Sequence, residues 1–588
     1  MSELDKGSII LNEAKVLLVG NGRSGKTSLR VKLENVHAPM PAEDATTLGV
    51  DIVTLPCERD FQLHLWDFGG QSVQYYAHQF FLTKNSLYVL LSNEAKEDRN
   101  FSYWLNIIEL LGGDSKVLVV QNERLGHFDP ISNEAGIRER FGNVVNPFHR
   151  LDLSKADGDH RKAFVALRDA ILLHARQLPH VGTKQPKSWV DVREALARVA
   201  SGNEKRQYVR WEEFERLCRE AGVTNPLTMK DYAALFTHLG NCLHFPGDDM
   251  LCDYVFLRPQ WVMEALYALL HHPVVIKGQG EFTAMQAREI WSGGEYRGMH
   301  DKLIRLLLNF HLCYRMKEEG RFVVPQRRPS VGSAYPWPER EQAEASVVVY
   351  DYAFMPQGLL TRLTCRLHEK IETLPGGAQQ VWKEAVVFVI SPLGGKGAGA
   401  RALVREAFEG DRPEASRIEI LVAGEKRTEL LNRIVEELDE VHESARYANL
   451  RVQKLVPCCC EACARQPFFF DFKYLCDLLG DGESQERCQK SRKMVDIRAV
   501  LYHTGIPTPL KKLCDEARAL VSDNREREAL DLLRKRAPDD RRVLMLLSEE
   551  RRLSDEFIMG ATGREDLSVG ENSLRYRLLR LLDEMGRA

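Results

Sequence analysis

Gly20-Asn21-Gly22-Arg23-Ser24-Gly25-Lys26-Thr27 decides how this chain is read. The stretch fits G-x-x-x-x-G-K-[ST], a phosphate-binding loop. Ala14-Lys15-Val16-Leu17-Leu18-Val19 leads into it with strand character, and Lys26 to Leu33 follows as a helix. Strand, glycine loop and helix are the context the chemistry needs. Backbone N–H groups curl around the phosphates, and the helix N-terminus adds partial positive charge. In that setting Gly20, Asn21, Gly22, Arg23, Ser24, Gly25 and Ser28 line the phosphates. Lys26 reaches the β- and γ-phosphates, and Thr27 sets its hydroxyl on Mg²⁺. The bland alternative is a glycine-rich turn before an unrelated helix.

The totals narrow the partners. A chain of 588 residues has room for several buried cores. Its 81 Lys+Arg and 84 Asp+Glu give a formal net charge of -3, which favours neither nucleic acid nor an anionic membrane as partner. No apolar run approaches the roughly 18 residues of a transmembrane helix. Met1 to Lys6 lacks the apolar segment of a secretion signal, so a cytoplasmic location is expected. The 13 cysteines are then thiols, and a cluster of them points to metal before disulfide.

Strand and helix patterns alternate from Ala14 to about Leu178, as a doubly wound α/β domain requires. Thr46 to Asp51 opens one strand, and Phe61 to Trp66 alternates into the next, ending in Asp67-Phe68-Gly69-Gly70-Gln71. An acidic residue there holds Mg²⁺ through water, with Thr47 offering a second hydroxyl. Gly70 lets the backbone approach a γ-phosphate. Gln71 orients a water for in-line attack, so Lys26, Thr47 and Gln71 form the expected catalytic set. The bland alternative for Asp67 to Gly70 is a tight turn.

Trp66-Asp67-Phe68-Gly69-Gly70-Gln71, followed by Tyr75 to Thr83, resembles the Roc GTPase domain of Roco proteins, the family that includes the leucine-rich-repeat kinases. The resemblance implies GTP and GDP binding with Mg²⁺, slow GTP hydrolysis, and a switch segment that relays the nucleotide state. One motif departs from the small-GTPase pattern. Guanine is read there by Asn-Lys-x-Asp, and here Asn122 is followed by Glu123 and, at the aspartate position, Leu125. Leucine cannot accept the guanine N–H bonds, so guanine against adenine stays open, as does a non-catalytic scaffold. Leu153-Ser154-Lys155-Ala156, after a strand expected at Val144 to Leu151, stands where GTPases pack a loop on the base, which makes Ser154 a candidate contact.

Further on, Leu235 to Gly240, Val255 to Val262 and Phe322 to Pro325 resemble the first half of the COR domain, and Phe354 to Leu359 with Arg362 resembles the second. This implies a homodimer formed through COR. Histidines 238, 244, 271 and 272 fit no metal-ligand spacing. Strand-like runs are expected at Ser346–Tyr350, Thr361–Leu367 and Ala385–Ile390, and an amphipathic helix at Lys426–Glu443.

Cys458, Cys460 and Cys463, with Cys488 further on, make a thiolate set suited to tetrahedral Zn²⁺. Cys459 is an alternative to Cys458, Cys476 reads as core, and buried free thiols are the rival reading. Beyond Pro507-Thr508-Pro509, short charged helices resemble the death-like effector-associated domains of bacterial conflict proteins. That implies a protein partner carrying a matching domain.

The expected architecture is multidomain α/β and α+β in a bacterial-type Roco protein. A small-GTPase-like doubly wound domain spans 12–182, helical COR-A 185–330 and mixed COR-B 340–456. A cysteine module follows at 457–505, and a small all-α domain at 507–588.

Overall fold

Six strands build the first sheet, in the order Val50–Cys57, Phe61–Phe68, Glu13–Gly20, Leu87–Ser92, Val117–Asn122, His149–Leu151. Val50–Cys57 runs antiparallel to its neighbour, and the other pairings are parallel. A parallel sheet is covered on both faces, so its strands are apolar throughout. Alternation divides them: Leu17, Val19, Trp66, Phe68, Tyr88 and Leu90 enter one core. Val16, Leu18, Leu63, Leu65, Val89 and Leu91 enter the other. Helices Lys26–Glu34 and Gly158–Arg176 cover the second face through Leu29, Phe164, Leu167 and Ile171, and Asp98–Gly112 covers the first through Trp104 and Ile108.

The computed structural model describes residues 7–587 apart from 43–48, 59, 70–80, 94–97, 124–130, 132, 156, 203–205, 331–344, 392–398, 410–411, 445–446, 448, 465, 505, 507–508, 524, 537–540 and 559–563. Thr47, Gly70, Gln71 and Leu125 therefore lie outside the described residues.

The second region is less purely helical than its sequence suggests. Helices Lys187–Ser201, Trp211–Glu220 and Pro226–Leu239 enclose Trp189, Phe214 and Phe236. Two three-stranded antiparallel sheets are added, one of them from Glu281–Thr283, Arg321–Val323 and Tyr314–Arg315. Strands of two or three residues are too short to show a period of two, so they left no sequence signal.

The first face of the nucleotide-type sheet does not meet solvent. Its core continues into Trp261, Leu266 and Tyr267 of helix Pro259–Leu270. Trp66 sits against Gly240, which ends the helix Pro226–Leu239 with φ near 80°. A Cβ at Gly240 would lie 1.8 Å from the Trp66 ring. Gln260 donates to Asp51 Oδ1 at 3.1 Å. Arg193 of helix Lys187–Ser201 pairs with Glu13, whose other oxygen lies 2.8 Å from His64 Nε2.

The third region is a six-stranded antiparallel sheet in the order Ala385–Ile390, Ala400–Glu409, Arg412–Gly424, Ser346–Tyr352, Val452–Pro457, Phe469–Asp471. Helix Arg427–Glu443 buries Leu430, Ile434 and Leu438. The strand expected at Thr361–Leu367 is instead a helix, Leu359–Arg366. Its two threonines favour a strand, but Leu359, Leu360 and Leu363 bury one helical face, and Thr364 turns its hydroxyl back to the Leu360 carbonyl at 2.7 Å. Four helices, Pro509–Ser522, Glu526–Arg536, Arg541–Ile558 and Arg564–Arg587, close on a separate core around Leu530, Leu533, Val543, Leu578 and Leu582. Among the described residues no helix is long and apolar enough to cross a membrane.

Gly240→Ala combines left-handed backbone strain with a collision against Trp66, and should lower stability by about 1–3 kcal/mol. An unchanged denaturation midpoint contradicts the close seating. Burial raises the Glu13 carboxyl, but the bonds from His64 and Arg193 outweigh it and hold the group down to about 2. A depressed carboxyl contributes stability above its unfolded value of about 4.3, and that contribution is lost as pH falls through the folded value. Glu13→Gln should therefore lower the melting temperature at neutral pH and shrink the acid-dependent part of unfolding below about pH 4.

Candidate functional site

Strand Glu13–Gly20 delivers the chain to a loop that only glycine can close. Gly25 has φ near 99°, and a Cβ there would lie 2.3 Å from Asn122 Nδ2. That approach lets Asn122 clamp two loops. Its Nδ2 donates to the Ser24 carbonyl at 3.3 Å, and its Oδ1 accepts from the Leu153 N–H at 3.3 Å. The loop is held from another side by Trp104, whose Nε1 donates to Asn21 Oδ1 at 3.2 Å, and by Asn93, which donates to the Arg23 carbonyl at 3.1 Å.

Lys26 opens the helix that follows. Its ammonium folds across the loop, donating to the carbonyls of Gly20 at 2.8 Å and Asn21 at 2.6 Å. Burial lowers its pKa to about 8, while the charge of Asp67 works against that shift. Asp67 lies wholly buried near the end of strand Phe61–Phe68. Burial pushes its carboxyl up, opposed by a hydrogen bond from Thr27 and the charges of Lys26 and Arg30. Arg30 Nε stands 3.5 Å from Asp67 Oδ2, and its NH2 3.7 Å from Asp51.

The structure thus brings Gly20 to Lys26, Thr27, Asp67, Asn122 and the 153–154 loop together. Ser28 sits in the first turn of helix Lys26–Glu34. The hydroxyl of Thr27 and the carboxylate of Asp67 are hard oxygen donors, the type Mg²⁺ selects. The Ser24 hydroxyl is fully buried and has no hydrogen-bond partner among the described residues. An orphaned donor inside a glycine loop suits an anionic ligand.

Ser154 is turned to another task. Its N–H and hydroxyl both go to Asp152 Oδ1, at 2.9 and 2.5 Å. Lys155 pairs with the other oxygen at 3.2 Å. Burial raises the Asp152 carboxyl, but these bonds dominate and hold it below the ordinary range. Sequence reading passed over Asp152, although Asp-x-Ser is a turn-forming pattern. It also passed over Arg30 and Trp104, whose roles depend on tertiary contacts.

A second group lies in another region. The sulfurs of Cys458, Cys460, Cys463 and Cys488 all fall within 4.8 Å of one another. Cys476 is half-buried on helix Phe472–Gly480 and packs against the core. His244 bonds the Cys252 carbonyl at 2.9 Å, and His272 caps the helix Pro273–Lys277.

The loop, the sheet order and the buried strand-end aspartate define the class first: a P-loop nucleotide-binding domain of the Ras type. Residues 15–124 match "Ras of Complex, Roc, domain of DAPkinase", 186–327 match "C-terminal of Roc, COR-A domain", 344–503 match "C-terminal of Roc, COR-B domain" and 512–586 match "Effector-associated domain 11". The chain is a member of the Roco family with a C-terminal effector-associated domain.

A Roc-COR-CHAT protease of Runella zeae is 29% identical over 418 residues, covering 66% of this chain and 42% of that protein. A second Roc-COR-CHAT protease, from an unknown prokaryotic organism, is 25% identical over 639 residues, covering 100% of this chain and 54% of that one. The chain therefore spans about half the length of these curated relatives. Among solved structures, Methanosarcina barkeri Roco2 RocCORdC bound to GDP aligns with 27% identity and a TM-score of 0.46, over 55% of this chain and 97% of that one.

Asn122→Ala leaves the Ser24 carbonyl and the Leu153 N–H without their partner. It should destabilise the nucleotide domain by about 1–3 kcal/mol in urea unfolding. A variant as stable as wild type would show that Asn122 does not clamp the two loops.

Proposed function

We propose that this chain is a GTP-binding switch. GTP and GDP bind on Gly20 to Ser28, with Mg²⁺ held by Thr27 and Thr47 and, through water, by Asp67. GTP is hydrolysed slowly. A homodimer through COR passes the nucleotide state to the C-terminal domain, which binds a protein partner carrying a matching death-like domain, in a bacterial defence setting. The observation that carries the reading is the convergence of the Lys26 ammonium, the Thr27 hydroxyl and the Asp67 carboxylate at one glycine loop.

Phosphoryl transfer to water needs positioning and charge neutralisation more than covalent chemistry. Lys26 releases the Gly20 and Asn21 carbonyls and turns to the phosphates. Backbone N–H groups of the loop fix the β-phosphate, and Gly70 admits the γ-phosphate. Gln71 orients the attacking water. Thr27, Thr47 and Asp67 would hold Mg²⁺, which would supply charge neutralisation at the phosphates. Arg30 stays behind Asp67, and its charge opposes the upward push of burial on that carboxyl.

A second reading has its own support. Leu125 and Glu123 replace the polar pair that reads guanine, and Asn122 is occupied by Ser24 and Leu153. This favours a promiscuous nucleoside triphosphatase, ATP included.

Titration with labelled GTP, GDP and ATP in Mg²⁺ separates the readings. GTP should bind and turn over in the wild type, and Lys26→Ala should lose about 100-fold or more in affinity. Equal binding of ATP replaces guanine specificity with promiscuity, and no binding at all leaves a scaffold. Affinity should also decline above about pH 8, because binding then has to return a proton to Lys26.

A further inference from the structure

We propose that Cys458, Cys460, Cys463 and Cys488 form a tetrathiolate site for one zinc ion, whose role is to lock the last segment of COR-B. The distances carry the argument. Sulfurs at the corners of a tetrahedron with Zn–S bonds of about 2.3 Å stand about 3.8 Å apart. Here the Cys463 and Cys488 sulfurs are 3.6 Å apart, and those of Cys460 and Cys488 3.9 Å. A disulfide would need about 2.05 Å. An iron–sulfur cluster would put several atoms between the ligands and force them further apart.

Backbone N–H groups face three of the four sulfurs. The N–H of Cys460 points to Cys458 Sγ at 3.5 Å, that of Phe468 to Cys463 Sγ at 3.4 Å, and that of Ser491 to Cys488 Sγ at 3.5 Å. The Ser491 hydroxyl lies 3.4 Å from Cys460 Sγ. Every sulfur of the set thus faces a donor or a serine hydroxyl, as metal-bound thiolates do through their outer contacts. Cys488-Gln489-Lys490-Ser491 has the spacing of a second metal knuckle with serine in place of its second cysteine, and Cys458 fills the vacancy. Arg487, Lys490, Arg492 and Lys493 flank Cys488 in sequence and offset the double negative charge of a zinc tetrathiolate. Cys459 is exposed and Cys476 lies elsewhere on its helix, so neither belongs to the group.

The position gives the ion its task. Three of the ligands follow the strand Val452–Pro457, and Cys488 follows the first strand of the hairpin Gln485–Arg487 and Met494–Asp496. That hairpin leads into helix Ile497–Thr504, the last element before the C-terminal helices. The segment between the knuckles offers little core of its own, chiefly Phe470, Phe472 and Leu475. A metal crosslink supplies folding energy that such a segment cannot gain from burial.

This inference is independent of the nucleotide reading. Elemental analysis of the purified full-length chain should give about one zinc per chain. Cys463→Ser and Cys488→Ser should each lower that content about tenfold, and Cys459→Ser should keep it. A second measurement needs no variant: chelator should remove the zinc, and refilling with Co²⁺ should give the intense visible absorption of tetrahedral thiolate coordination. Folded wild-type protein without zinc, iron in its place, a cobalt spectrum of six-coordinate type, or loss of metal in Cys459→Ser would each overturn the assignment.

Discussion

Adjacent residues of a strand point to opposite faces of its sheet, and the rest of this molecule depends on how that constraint acts at Trp66 and Asp67. Asp67 looks toward the phosphate loop, where Thr27, Lys26 and Arg30 surround it. Trp66 looks the other way and seats on Gly240 of COR-A. Lys15 lies over the same indole at 4.3 Å and donates to the carbonyl of Phe81, whose ring is 5.4 Å from Trp66. One peptide link thus separates the carboxylate beside the glycine loop from the anchor of the next domain. Neither can shift along the strand without carrying the other.

A second route runs beside it. Arg30 reaches both Asp67 and Asp51, and Asp51 accepts from Gln260 of helix Pro259–Leu270. Gly49, two residues earlier, lies against Tyr267 of that helix. The side chains beside the glycine loop and those that face COR-A therefore form one continuous set of contacts. The first-face core, shared by the nucleotide domain and COR, gives those contacts a rigid floor.

Much of this was legible in the sequence because its causes are local. The phosphate loop needs particular residues at fixed spacing, and the apolar strands around it need cover on both faces. The cysteine set was visible for the same reason, since ligand spacing is a sequence property. The rest depended on tertiary context. Asn122 reads as half of a guanine motif, yet here it joins Ser24 to Leu153. Ser154 reads as a base contact, yet its hydroxyl caps Asp152. Thr361–Leu367 reads as a strand until Leu359, Leu360 and Leu363 meet a core that rewards helical spacing. The Trp66–Gly240 contact joins residues far apart in the chain, and no pattern within either segment announces it.

Backbone hydrogen exchange, compared between the GDP-bound chain and the chain loaded with a non-hydrolysable GTP analogue, reads whether the nucleotide state reaches COR-A through Trp66 and Asp51. Altered protection is expected in helix Pro259–Leu270 and around Gly240, together with the phosphate loop. Altered protection confined to the nucleotide domain, with those COR-A segments identical in the two states, would contradict that coupling.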